Sequence, residues 1–409
     1  PASPYVMPVL KSWPEEYVDP ATKDGFGSTP PGYSATYRLD PGEAIIVFGR
    51  MPPPARYMGL QTWLFSTGWA REERPWDPLA CVHYEVFAKE MTQYFFATLP
   101  PVSSRPHCYT VPPGAPGRVQ SFSSIDNNIN NVVMEKQSGP PWDQTRYFVI
   151  TPDQRTDAAV RESLVSLGVD ESEIFTEGVP ETFQDPDHLP PYPYGQNPVI
   201  GPLGLGEDAV DFTTAVRYAM PEDQQAADAW LESLPLTVLR VRRSSWGLGP
   251  EPYGGRIADD RPTVDETLDE SGLSKGLESL INAVTARAQS QGWMLEEDED
   301  RKMVDILNEL GQFGPACREI GMNCLGDGED SSYFFARPKP LDTGRIYAVV
   351  GTLATETGNA TYVGLSVNDA SLLKGVLNVD DEKLKGSASS YHSEVPNPAL
   401  LEKYFLHFF

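Results

Sequence analysis

The chain has 409 residues, 40% of them hydrophobic and 11% aromatic, more than one hydrophobic core accommodates, so at least two packed regions are expected. Its 58 acidic and 32 basic residues leave a formal charge of −26, which opposes phosphate backbones and sets nucleic acid aside as an expected partner. The best apolar runs, such as 44–48, are strand-sized, far short of the roughly 18 residues a membrane helix needs, so no membrane span is expected.

The chain begins Pro1-Ala2-Ser3-Pro4, which reads as a mature product whose signal peptide has been removed. Residues 1–36 are rich in Pro, Gly and aromatic residues without periodicity and are expected to lie across the surface of the first lobe. Glu43–Gly49 and Ala55–Phe65 are β-prone runs on either side of Pro52-Pro53-Pro54, a pattern that predicts a hairpin.

Four cysteines fall into two local pairs, Cys81 with Cys108 and Cys317 with Cys324, and no Cys-x-x-Cys occurs. The spacing suits two disulfides in an oxidising compartment better than zinc, so a secreted, extracellular protein is expected. The first bridge would draw His83 and His107 together. Such a pair could serve as acid and base, hold a metal, or be structural. Asp126-Asn127-Asn128-Ile129-Asn130-Asn131 concentrates carboxylate and amide groups. Asp126, Asn127 and Asn130 are therefore candidates for binding a polyhydroxylated substrate, the alternative being Asx turns to their own backbone.

Arg146–Thr151 reads as a strand, followed by a helix capped at Thr156 or Asp157 with Val160, Leu164 and Leu167 on one stripe. A strand at Glu173–Thr176, helical patterns over 207–219 and 222–233, and a strand at Leu236–Val241 complete a predicted small α/β sandwich inserted in the β lobe. The connections 178–206 and 243–272 exceed ordinary loop lengths. They carry Tyr192, Tyr194, Trp246 and Tyr253, rings that could stack on a sugar or an apolar ligand, or simply pin the loops to the body.

Ser274 is expected to cap a helix bearing Leu277, Leu280, Ile281, Val284 and Ala288, and Met303, Ile306, Leu307 and Leu310 predict another, with the acidic run 296–300 at its positive end. Asp327-Gly328-Glu329-Asp330 follows Cys324. Asp327 and Asp330 could provide oxygen ligands for a calcium cofactor, or form the carboxylate pair of acid–base hydrolysis, against the plainer reading of a solvated turn. Residues 345–351 and 360–367 predict a second hairpin that shares Val-x-Gly and Ala-x-Tyr-x-Gly-Leu with the first, as a duplicated β unit or a chance match would. Asn359-Ala360-Thr361 is a glycosylation sequon in a eukaryotic secretory host, and Tyr404–Phe409 reads as a closing strand.

The expected fold is α+β. A sandwich-like β lobe is built from 1–140 and 335–409, with an α/β insert at 141–245 and a long loop plus helical region at 246–334. G-x-S-x-G, P-loop, G-x-G-x-x-G and H-E-x-x-H motifs are missing, and five histidines leave little for a metal centre. Two functions fit these features. One is an exported hydrolase of an extracellular polymer or glycan, with Asp327, Asp330, His83 and His107 as catalytic groups. The other is a noncatalytic secreted ligand-binding or cell-surface protein.

Overall fold

The computed structural model describes residues 5–20, 22–24, 27–67, 119–125, 128–181, 201–243, 249–254, 272–295, 304–305, 326, 328, 330–331, 334–335, 343–369 and 374–409. In chain order the strands are β1 (Tyr5–Val6), β2 (Leu10–Lys11), β3 (Tyr33–Ser34), β4 (Glu43–Arg50), β5 (Ala55–Thr67), β6 (Val119–Ser124), β7 (Ile129–Asn130), β8 (Thr145–Thr151), β9 (Ile174–Gly178), β10 (Asp211–Pro221), β11 (Leu236–Arg242), β12 (Val304–Asp305), β13 (Phe334–Phe335), β14 (Ala348–Thr352), β15 (Gly364–Asp369), β16 (Lys374–Asp380) and β17 (Tyr404–Phe408). The helices are α1 (Asn131–Ser138), α2 (Gln154–Ser166), α3 (Gln224–Ser233), α4 (Leu273–Ser290), α5 (Ala354–Thr357) and α6 (Asp381–Leu384). Substantial strand and helix with several sheets make the fold mixed α+β. Among the described residues, no helix is long and apolar enough to cross a membrane.

Two sheets organise the first half. One runs β1-β10-β5-β6 with β7 also against β5, all antiparallel; the other runs β11-β4-β8-β9, with β8 and β9 parallel. Strand alternation decides what each face buries. Ile45, Val47, Phe148, Ile150 and Phe175 of the second sheet enter one apolar cluster with Met58, Leu60, Leu64, Phe212 and Val216 of the first. The alternate residues Ala44, Ile46, Val149 and Ile174 turn the other way and meet Val160 and Leu164 of α2.

The hairpin expected from 43–65 does not form. Strand β4 pairs with β8 and β11, while β5 pairs with β10, β6 and β7. At the crossing, Arg50 N donates to Pro235 O at 3.1 Å and Met51 N to Gln144 O at 2.8 Å. Three successive prolines then offer no N–H to continue a ladder, so the chain passes from one sheet to the other. Strand β10 takes up most of the segment expected to be helical over 207–219. The helices at 224–233 and 273–290 and the strands at 145–151, 174–178 and 236–242 lie where their sequence patterns place them, although the second helix starts from Gly272 with no side-chain cap and Ser274, the expected cap, lies inside it. The α2 cap is Asp153 rather than Thr156 or Asp157, its carboxylate accepting from the N–H of Arg155 and Thr156.

In the last third, Leu280 and Val284 of α4 pack against Ala388, Tyr391, Leu401, Tyr404 and Leu406. The second expected hairpin is also absent: β14 pairs with β17, the predicted closing strand, and β15 pairs with β16. Within the helix expected from Met303 to Leu310, Val304–Asp305 is a strand paired with Phe334–Phe335, and the remainder lies outside the described residues.

Candidate functional site

Strand β5 sends Met58, Leu60 and Leu64 into the shared core. The alternation that does so turns Tyr57, Gly59, Gln61 and Trp63 to the opposite face. In register beside them, Ala215 lies across from Gln61 and Arg217 from Gly59, while Tyr5 of β1 pairs with Arg217 and Asn130 of β7 with Gly59. Gly326, Gly328 and Ser331 come to this face, and a small cleft results, lined by these three and the β5 residues with Tyr5, Ala215, Arg217 and Asn128.

Asp330 is the hub. Its Oδ2 accepts from the Tyr57 hydroxyl at 2.9 Å and from Asn130 Nδ2 at 2.7 Å, and its Oδ1 accepts from Asn128 Nδ2 at 2.6 Å. Asn130 is held in turn, because its Oδ1 accepts from Val132 N and Val133 N, both at 3.1 Å, as the N-cap of α1. The amide is therefore oriented by the helix end, with its Nδ2 left to point at the carboxylate. Gly59 makes this approach possible: a Cβ there would meet the Tyr57 hydroxyl at 2.4 Å.

Burial first, and the Asp330 charge second, push the Tyr57 hydroxyl far above the usual tyrosine range. Tyr57 is therefore a neutral donor and not a phenolate nucleophile. The Arg217 guanidinium carbon lies 5.3 Å from the Tyr57 ring centroid and 5.9 Å from that of Tyr5, within cation–π range. Arg217 Nη2 donates to the Tyr362 hydroxyl at 2.7 Å, and the Tyr362 ring meets Tyr57 edge-on at 6.0 Å. Asn128 is only 4% exposed, and its Oδ1 has no hydrogen-bond partner among the described residues.

Two of the residues singled out from sequence, Asn130 and Asp330, thus meet although 200 positions apart. Asn130 caps its own backbone through Oδ1 and donates from Nδ2 to Asp330. Tyr253 stands elsewhere, in an isolated bridge with Pro180, with its ring about 3.0 Å from where a Gly178 Cβ would lie, so it packs the loop onto the end of β9. Asp126, Asn127, Asp327, His83, His107, Tyr192, Tyr194, Trp246 and all four cysteines lie outside the described residues. Among the described residues, no group of three or more His, Cys, Asp or Glu is placed to hold a metal ion. Asn128 belongs to the amide-rich segment read from sequence, whereas Tyr57, Arg217 and Tyr362 were not singled out. The signal for Tyr57 is the period-two run Tyr57, Gly59, Gln61, Trp63, whereas Arg217 reaches the cleft through the β10–β5 pairing and Tyr362 joins through its contacts with Arg217 and Tyr57. No family model matches the chain, and neither does any curated protein or solved structure.

Proposed function

We propose that the protein is a noncatalytic, secreted ligand-binding or cell-surface protein whose cleft takes a neutral, polyhydroxylated ligand such as a glycan. The observation that carries this reading is the fixed Asp330 carboxylate, held by Tyr57, Asn128 and Asn130, beside aromatic rings and a guanidinium. A hydroxyl both donates and accepts, so it matches the acceptors on one side and Arg217 on the other, where a purely anionic or purely cationic ligand would match one and oppose the other. The exposed ring of Tyr5 offers a face on which a sugar could stack. In this reading the two sheets that share a core form a sandwich-like lobe, and the cleft lies on its outer face. Secretion rests on the four cysteines, as two disulfides.

The second reading is a glycan hydrolase in which Asp330 acts with Asp327, His83 or His107; the carboxylate beside the cleft favours it. Binding of neutral, acidic and amino-bearing glycans on an array, followed by calorimetry and product analysis, separates the two. The expected result is saturable binding of neutral glycans that are recovered intact, weakened about tenfold or more in Asp330→Ala through loss of a charged acceptor. Cleaved products would transfer the assignment to the hydrolase, and an absence of binding to every glycan would overturn both.

A further inference from the structure

We propose that the last third of the chain holds a second ligand site, a cavity for a small apolar molecule that carries a single carboxylate. It lies between the first two turns of α4 and the segment 395–404. It shares no residue with the cleft on β5, so it is independent of the glycan reading. The cavity encloses about 210 Å³. An apolar cavity of about 150 Å³ already takes up benzene, so there is room here for a substituted ring or a short alkyl chain. Val395, Pro396, Leu400, Leu401 and Tyr404 form its apolar wall. Gly276 lets Tyr404 lie against α4, because a Cβ there would collide with the Tyr404 hydroxyl. That hydroxyl donates to Leu273 O at 2.6 Å, so its proton is committed to the helix and not to a ligand.

The polar part of the lining sorts the candidates. Lys275, Ser279 and Asn397 line the cavity and no carboxylate does, in a chain with 58 acidic residues. Ser279 Oγ donates to Lys275 O at 2.8 Å, so its proton is spent within the helix. The Lys275 ammonium is the one charge in the lining, and it makes no ion pair among the described residues. Gly272, the N-cap of α4, brings no side chain to the first turn, so the helix dipole adds potential of the same sign. A cation would be opposed by both. A neutral molecule would cover the apolar wall and leave the ammonium unanswered. A monocarboxylate matches wall and charge together, and a second carboxylate would find no partner.

The test is calorimetric titration of the full chain with two series that each keep one apolar body: 4-ethylbenzoate, 4-ethylbenzamide and 4-ethylbenzylamine, and octanoate, octanamide and octylamine. In at least one series the acid should bind more tightly than the amide, and the amide more tightly than the amine. Ser279→Leu adds methylenes to the wall and should weaken that acid by about tenfold. Lys275→Gln should weaken it by about two- to fivefold, the range of an exposed ion pair, and leave the amide unchanged. Lys275 is exposed, so this variant stays informative if Ser279→Leu fails to fold. An amine that matches its acid in both series, acid binding unchanged in either variant that folds, or no binding by either acid would each overturn the proposal. None of these results bears on the cleft, whose glycan titrations stand apart.

Discussion

Two buried aspartates respond to pH in opposite senses. Asp381 opens α6, is 6% exposed, and its Oδ1 finds no hydrogen-bond partner among the described residues. Burial raises its pKa; Arg56 opposes the rise, and Asp380 and Glu382 add to it. Because the folded value exceeds the unfolded one, the contribution of Asp381 is fully present below the unfolded carboxylate range and lost as pH rises through the folded value. Asp381→Asn should therefore raise the melting temperature at pH 7 and lose that advantage near pH 3 to 4, about where an unfolded aspartate titrates. Asp153 is the reverse. It is fully buried, and although burial pushes its pKa up, the hydrogen bonds from Thr156, Glu251 N and Arg155 N, with Arg243 nearby, bring it below the ordinary value. Its stabilisation is present above the unfolded pKa and lost as pH falls through the folded one, so Asp153→Asn should destabilise at pH 7 and flatten the acid side of the stability profile. Melting curves from pH 3 to pH 8 check both variants, and slopes of the same sign would contradict this account.

At the scale of elements, Glu177 of β9 crosses the core to the other sheet. It is 1% exposed, and its two carboxylate oxygens accept from Thr62 N and Thr62 Oγ1 of β5, both at 2.7 Å. Glu177→Ala strands the buried Thr62 N–H, at about 1–3 kcal/mol, while Thr62 Oγ1 keeps Thr214 Oγ1 at 2.8 Å. Denaturant titration should show a loss of about that size, and a loss well under about 1 kcal/mol would mean that the N–H finds another partner. Asn130 joins β7, α1 and the cleft. Asn130→Ser keeps a capping oxygen but removes the donor to Asp330, whereas Asn130→Ala removes both and should cost about 1 kcal/mol more in stability. Both variants should weaken ligand binding alike, which separates the cap from the anchor.

The elements readable from sequence are those that carry their own local pattern: α3, α4, β8, β9, β11 and β17. Strand β10 was not. Phe212, Ala215, Val216 and Ala219 fall at i, i+3, i+4 and i+7, which imitates a helix stripe, and burial on both faces along most of β10 erases the period of two that would have exposed the strand. Partner choice was equally hidden. Each arm of the two expected hairpins is a strand, but β4, β5 and β14 go to distant partners and β15 to the strand that follows it, and no local signal in Glu43–Arg50 names β8 and β11. The site was half legible for the same reason: Asn130 and Asp330 stand out as polar turns, whereas Arg217 and Tyr362 acquire meaning only once β10 lies beside β5.

For the whole molecule, the charge of −26 is a standing repulsion that the fold must overcome. Raising salt from about 10 to about 150 mM shortens the screening length from about 30 to about 8 Å, so the melting temperature should rise over that range; a fall would mean that attractive pairs such as Arg56–Glu382 and Arg240–Glu16 outweigh the repulsion. The double attachment of Asn130 has a consequence at the same scale. One side of its amide steadies the first turn of α1 and the other grips Asp330, so a guest that fixes the carboxylate also stiffens the helix behind it. The amide protons of Val132 and Val133 should then exchange with deuterium more slowly when the cleft is filled, reporting occupancy from the far side of the sheet without touching the guest.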